Sequence, residues 1–94
     1  MSIPRGTAAA PVAVSVTSSA TLLRAANTGR KALLIVNNGA ADMYVGLSDV
    51  TAASGIPVKA SGGALSLTPP FLTQQAIYGR TASATIDVRV WEVT

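Results

Sequence analysis

The feature that most constrains this chain is a series of short stretches in which apolar and polar residues alternate, separated by clusters of turn-forming residues. The valines at 12, 14 and 16 alternate with small or polar residues, and residues 86–90 repeat the pattern near the other end of the sequence. A period of two residues places one set of side chains on one face of a β-strand. No segment favours a helix, so the pattern predicts an all-β chain.

Turn-forming residues divide the chain into strands at a spacing of roughly ten residues. Eight strands are predicted, at 12–17, 21–25, 31–37, 42–47, 56–60, 64–68, 75–79 and 84–93. Such spacing is typical of an antiparallel β-sandwich, including the jelly-roll type, or of a closed barrel. Because 94 residues suffice for one modest core, we expect a single jelly-roll-like β-sandwich at 12–94, preceded by a flexible N-terminal arm at 1–11.

The strand at 31–37 is apolar on both faces, which predicts a central strand that is covered on both sides. It is followed by Asn38-Gly39, a strong signal for a type I′ hairpin, so we expect 31–37 and 42–47 to pair directly. The core is expected to consist of aliphatic side chains from several strands: Val14, Leu34, Val36, Val45, Leu67, Ile86, Val88 and Val90.

Composition removes most catalytic chemistry. The chain has no His and no Cys, which excludes thiol catalysis, disulfides, a Cys/His zinc site and an imidazole base. Its four acids, at Asp42, Asp49, Asp87 and Glu92, have neither the spacing of a metal-binding loop nor that of an acid/base pair. The Ser61-Gly62-Gly63 run is interpreted as a turn and not as a phosphate-binding nest. We therefore expect no catalytic residue, no cofactor, no metal and no enzymatic activity.

Charge and hydropathy limit the partners. The net charge of +3 comes from seven scattered cations, whereas a nucleic-acid module concentrates more, so no nucleic-acid partner is expected. The cations are interpreted as solvated strand ends: Arg5, Arg24, Arg30, Lys31, Lys59, Arg80 and Arg89. No apolar run approaches the roughly 18 residues of a membrane helix, and no targeting signal is visible. The sequence predicts a protein that stays in the cytosol or is assembled into a particle there.

Trp91 lies on the nominally polar face of the last strand, beside Asp87 and Arg89. Two interpretations stay open: the indole is covered by the second sheet or by residues 1–11, or it anchors a protein interface. Apolar residues on both faces of 31–37, together with this indole, exceed what a small two-sheet domain hides. We therefore expect a homo-oligomer, most simply a homotrimer, with Trp91 or Tyr44 near the contact between subunits.

One long segment carries a family resemblance. Residues 22–39, LLRAANTGRKALLIVNNG, followed by MYVGL at 43–47, combine a polar turn with arginine, an aliphatic strand, an Asn-rich turn and a Tyr-Val-Gly strand. A loop that ends in Gly55, a glycine-containing turn before Leu65 and Leu67, and a late Tyr78 complete the pattern. In these motifs the chain resembles small β-rich virion structural proteins of tailed bacteriophages, which include head decoration or cement proteins and fibre-associated modules.

The resemblance implies a structural role in the virion, after assembly in the host cytoplasm. The expected function is that of a capsid decoration protein, often trimeric, that bridges neighbouring subunits of the major capsid protein or binds another virion protein. The alternatives are a tail or fibre adaptor and, with less support, a host-surface module that binds glycans. Together with composition, the resemblance suggests that the arm reaches a neighbouring subunit. The candidate interface residues are Trp91, Tyr44, Arg5 and Ile3.

Overall fold

Residues 6–94, which a computed structural model describes, contain eight β-strands and no helix. The strands are β1 Val12–Val16, β2 Thr21–Arg24, β3 Ala32–Asn37, β4 Met43–Gly46, β5 Ile56–Val58, β6 Gly63–Leu67, β7 Ile77–Arg80 and β8 Ile86–Val93. Every predicted strand is present, with each end within two residues of its predicted position. The alternating pattern was therefore sufficient to locate the strands.

The strands form two antiparallel sheets of four strands each. Sheet I has the order β1-β8-β3-β6, and sheet II has the order β2-β7-β4-β5. One cluster of buried side chains from both sheets fills the space between them, which makes the fold a β-sandwich. This strand order is that of an eight-stranded jelly roll, and the predicted fold class is confirmed.

The hairpin predicted at Asn38-Gly39 is wrong, because β3 belongs to sheet I and β4 belongs to sheet II. The chain crosses between the sheets at this point. The buried Asn37 amide donates to the carbonyls of Ala41 (2.8 Å) and Val58 (3.1 Å), and its Oδ1 accepts the Gly39 N–H at 2.9 Å. A Cβ on Gly39 would lie 2.4 Å from the Cβ of Ile86, so close packing requires this glycine. The Asn-Gly signal marks a crossover with its own side-chain hydrogen bonds.

Left-handed backbone occurs instead in the turn between β5 and β6, at Ser61 (φ 61°) and Gly62 (φ 104°). The N–H groups of this turn are occupied: Ser61 donates to Gly39 O at 2.8 Å, and Gly62 donates to Asn37 O at 2.7 Å. The Gly63 N–H donates to Lys59 O at 3.1 Å. The turn is thus hydrogen-bonded to the β3–β4 crossover, which agrees with the structural interpretation of Ser61-Gly62-Gly63.

The core confirms part of the predicted set. Val45, Ile86, Val88 and Val90 are buried, while Val14 and Leu67 pack against the core and are only partly buried. The structure adds buried side chains that were not predicted to lie there: Val16, Leu23, Leu33, Ile35, Met43, Val50, Val58 and Ile77. Both sheets therefore contribute to a single core.

Leu34 and Val36 were wrongly assigned to the core. In β3 the side chains of Leu33, Ile35 and Asn37 are buried, whereas Leu34 and Val36 point to the outer face of sheet I and are half-buried. A strand that is apolar on both faces carries no information about which face is inward. In the described structure no second layer lies on the outer side of sheet I. Leu34 and Val36 are therefore covered only in part, by their cross-strand neighbours on β8 and β6.

The N-terminal segment pairs with the end of β8. Residues 1–5 of the predicted arm, with Arg5 and Ile3, lie outside the described residues. From residue 6 onward the chain runs antiparallel to β8: Thr7 and Thr94 exchange backbone hydrogen bonds of 2.6 and 3.0 Å, and the Ala9 N–H donates to Glu92 O at 2.9 Å. The described part of the predicted arm is thus docked on the sandwich.

The alternation along β3 yields a test with neighbouring residues. Leu33→Ala should lower the free energy of unfolding by about 2 to 5 kcal/mol, because it leaves a cavity in the core. Leu34→Ala should cost only about 1 kcal/mol, because its side chain is already partly hydrated. Chemical denaturation followed by circular dichroism measures both values. Equal losses would contradict the assignment of faces along β3.

Candidate functional site

The single tryptophan of the chain, Trp91, lies on the outer face of sheet I. Trp91 is 44% exposed, and the register of β8 with β3 places it directly opposite Leu34, while Val36 lies opposite Arg89. We call Trp91, Leu34 and Val36 the outer patch. The strands on either side add small side chains, with the exposed Ala13 and Ala64 opposite Arg89 and Val36 respectively. The outer patch is thus bordered by small side chains and by Arg89, whose guanidinium pairs with Asp87 on the same face.

Trp91 also holds the N-terminal segment. Its indole N–H donates to the carbonyl of Ala9 at 2.6 Å. The segment shifts register at this point, because Ala8 lies opposite Val93, whereas Val12 lies opposite Val90. The indole N–H therefore supplies a hydrogen bond to the Ala9 carbonyl, where the pairing of the chain with β8 is irregular. Residues before β1 thus contact the polar edge of Trp91, as one interpretation expected, while 44% of the residue stays exposed; its role as an interface anchor stays a prediction.

The other candidate, Tyr44, lies elsewhere. It points to the outer face of sheet II, is half-buried, and lies opposite Arg80 on β7 and Pro57 on β5. The structure therefore places Trp91 and Tyr44 on opposite faces of the sandwich and does not bring them together. Arg5 and Ile3, the remaining candidates, precede the described residues.

A buried ion cluster lies at the end of β8, beneath the outer patch. Glu92 is 3% exposed, and its Oε2 accepts the Arg30 Nε–H at 2.7 Å. Its Oε1 accepts the Arg24 Nε–H at 3.0 Å and the Asn27 amide at 3.1 Å. The prediction that Arg30 is a solvated strand end is wrong. A buried carboxylate needs such compensation, because an unpaired charge in the protein interior is highly unfavourable.

Arg30 binds backbone carbonyls of two loops through its remaining donors. Nη1 donates to the carbonyls of Thr73 and Gln75, each at 2.9 Å, and Nη2 donates to Ala25 O at 2.7 Å. The planar guanidinium suits this arrangement, since its donors diverge in fixed directions. The cluster therefore joins β8 to the loop after β2 and to the loop before β7. Its role is structural, because these groups are directed at one another.

A sequence signal for Glu92 exists. It continues the alternation of Ile86, Val88 and Val90, so it belongs to the inward face of β8. Burial raises the pKa of the Glu92 carboxyl, but the hydrogen bonds from Arg30, Asn27 and Arg24 together outweigh burial and hold the pKa below its ordinary value of 4.5. An inward acid at the end of an aliphatic series indicates a buried cationic partner.

The remaining surface offers little for chemistry. One open depression of about 250 Å³ is lined by Leu47, Ser48, Gln75, Ala76 and Tyr78. Within residues 6–94, no group of three or more acidic, His or Cys side chains is placed to hold a metal ion. The same residues include no helix that is long and apolar enough to span a membrane.

The chain was compared with known proteins in three ways. No protein-family model, no curated protein and no solved structure matches it. The resemblance to phage virion proteins therefore stays a prediction from the sequence motifs.

The Glu92 cluster generates a prediction about pH. The pKa of Glu92 is lower in the folded than in the unfolded protein, so its contribution to stability is complete above pH 4.5 and is lost as the pH falls through the folded pKa. Glu92→Gln should lose about 3 to 5 kcal/mol of unfolding free energy at neutral pH, because it leaves buried cations without their anion. The difference from the wild type should shrink on acidification.

Urea denaturation between pH 7 and pH 3 measures this difference. Asp42 and Asp87 also have lowered pKa values, Asp42 through hydrogen bonds from the Ala60 N–H and Lys59, and Asp87 through those from Arg89 and Asn38. Both residues are present in both proteins, so subtraction isolates Glu92. Asp49→Asn, on an exposed loop, serves as the matched control and should change little. A constant difference between Glu92→Gln and wild type at all pH values would contradict the assigned role.

Proposed function

We propose that this chain is a virion structural protein of a tailed phage that decorates the capsid and stabilises the head by bridging neighbouring subunits. The observation that carries the proposal is the outer patch, in which a half-exposed tryptophan lies beside Leu34 and Val36, with the Arg89–Asp87 ion pair at its border. Tryptophan is enriched among the residues that dominate binding energy, and interface centres are poor in charge. A four-stranded sheet face with no second layer on it, among the described residues, can be buried against a protein surface.

The jelly-roll fold is compatible with a capsid decoration protein and also with other functions. Jelly rolls occur in viral capsid proteins and in lectins, and a fold does not by itself imply a function. The mechanism that we propose is thermodynamic linkage: a protein that binds only the assembled shell stabilises that shell by mass action. No bond is made or broken, which agrees with the absence of His and Cys from the sequence.

The glycan-binding alternative receives less support. A glycan site needs aromatic side chains that converge beside polar groups. Here Trp91 lies on sheet I, whereas Tyr44 and Tyr78 lie on the outer face of sheet II, and Phe71 is in the loop before β7. The aromatic residues that such a site would use are therefore divided between surfaces.

Imaging of labelled protein on virions of the phage that encodes it tests the proposal. A decoration protein should be found in many copies over the whole head. Label at a single vertex or on the tail would favour the adaptor alternative, and binding only to host cells would favour the glycan-binding module. Either of these results would overturn the decoration proposal.

The outer patch generates a quantitative prediction. Trp91→Ala should weaken binding to capsids that lack the protein by roughly 30-fold or more, the loss of one interface hot spot. Leu22→Ala is the matched control, because Leu22 is similarly exposed (45%) but lies on sheet II. Its binding should stay within about twofold of the wild type, since rim or non-interface positions contribute little.

Trp91→Ala also removes the hydrogen bond to Ala9, so a second variant separates binding from folding. Leu34→Asp places a charge in the outer patch and keeps the indole in place. It should weaken capsid binding as strongly, while thermal unfolding verifies that each variant is folded. Full occupancy of capsids by both folded variants would exclude the outer patch as the binding surface.

A further inference from the structure

The edges of a β-sheet expose unpaired backbone N–H and C=O groups, which can pair with a strand of another molecule. Proteins commonly prevent this with proline, charge, irregular register or very short edge strands. Sheet I has the edge strands β1 and β6, and sheet II has β2 and β5. The four edges can therefore be compared within one molecule.

Both edge strands of sheet II have features that oppose pairing with another strand. β5 has three residues, and Pro57 at its centre has no N–H to donate. β2 ends at the charged Arg24, and its register with β7 shifts between Leu22 and Arg24. Neither strand presents a regular edge to a second chain.

The β1 edge of sheet I is also interrupted. Pro11 precedes the strand directly, and the pairing with β8 shifts by one residue between Ala8 and Val12. The chain before the strand remains on β8, so an incoming strand would have to follow an irregular edge.

Within the strand itself β6 has none of these features; Pro69 and Pro70 follow it only after Thr68, and Lys59 O accepts the N–H of its first residue. Its five residues, Gly63–Leu67, pair with β3 in unbroken register and contain neither proline nor charge. The surrounding sequence carries no charged residue from 60 to 79. The side chains of Leu65 and Leu67 point inward but are only partly buried, because the sandwich is open along this edge.

We propose that β6 pairs antiparallel with β6 of a second copy of this chain, around a two-fold axis at Leu65. Leu65 then lies opposite its own copy, Ala64 lies opposite Ser66, and Gly63, whose N–H is already bonded to Lys59 O, lies opposite Leu67 at the end of the pairing. All three pairs keep inward side chains with inward ones and outward side chains with outward ones. The two copies of sheet I join into one continuous sheet.

The sequence of β6 favours its own copy over an unrelated strand. Around this axis only Leu65 meets its own copy, while Ala64 meets Ser66 and Gly63 meets Leu67, so the pairing requires the residues of one strand to complement one another. GALSL has no charge, places leucine opposite glycine on the inner face, and places small residues opposite each other on the outer face. The strand is therefore self-complementary in both volume and charge.

The neighbouring edge of sheet II gives independent support. Ile56 on β5 lies opposite the buried Val45, which places it on the inward side of sheet II, yet it is 56% exposed. β5 and β6 lie on the same side of the sandwich and contact each other. Ile56, Leu65 and Leu67 are thus apolar side chains on the inward faces of adjoining edge strands that one chain leaves partly or largely exposed, and a second copy joined at β6 would lie beside them.

Two matched double variants test the pairing. Ala64→Lys/Ser66→Lys places charges on the exposed outer side of β6, where each lysine would face a lysine of the other copy. Ala13→Lys/Ser15→Lys places the same charges on the exposed outer side of β1. Two like-charged pairs should weaken the dimer by about tenfold or more in the β6 variant. The β1 variant should associate like the wild type.

Sedimentation equilibrium from micromolar to millimolar concentration measures the association, and circular dichroism verifies the fold of each variant. The wild type should reach twice the 9.5 kDa mass of one chain. Amide hydrogen exchange within 64–67 should slow as the dimer forms, a signature that association elsewhere would not produce. A monomer at all concentrations, a three-fold assembly, or a dimer unaffected by the β6 lysines would overturn the proposal. The test uses the protein alone, so its outcome is independent of the capsid experiments.

Discussion

The structure depends on the compensation of one buried carboxylate. Glu92 lies at the end of the longest strand on the same inward face as the aliphatic core, where an uncompensated charge would oppose folding. Arg30 and Arg24 supply the opposite charge, and Arg30 extends the network to the carbonyls of Thr73 and Gln75. Two connections, the loop between β2 and β3 and the loop between β6 and β7, are thereby attached to β8. A non-directional apolar core could not have fixed their positions.

The opposite end of the sandwich uses neutral groups for the same purpose. Asn37, buried at the end of β3, binds carbonyls of the β3–β4 crossover and of β5, and the turn at Ser61 and Gly62 donates back to Gly39 and Asn37. Both ends therefore follow one principle: in a jelly roll most connections cross between sheets, so side-chain hydrogen bonds replace the ladder that a hairpin would provide.

Between these ends the molecule has surfaces of different character. The outer face of sheet I presents Trp91 and Leu34, and the indole also holds the chain before β1 through Ala9. The β6 edge of the same sheet is regular and uncharged. A decoration function through the face and self-association through the edge use different surfaces of sheet I, so the two proposals are compatible.

The sequence by itself determined the fold class and the position of every strand, because a two-residue period and its interruptions are local properties. It also determined the inward faces of β4 and β8, where polar residues such as Tyr44 and Asp87 mark the outer side. Only the tertiary structure decided which face of β3 is buried, because the sequence of a strand that is apolar on both sides does not indicate which side faces the core. The same holds for the partner of β4: Asn38-Gly39 is compatible with a hairpin or a crossover, and the packing of Gly39 against Ile86 selects the crossover. Arg30 and Glu92 are separated by 62 residues, so their pairing follows from long-range topology, which no local pattern contains.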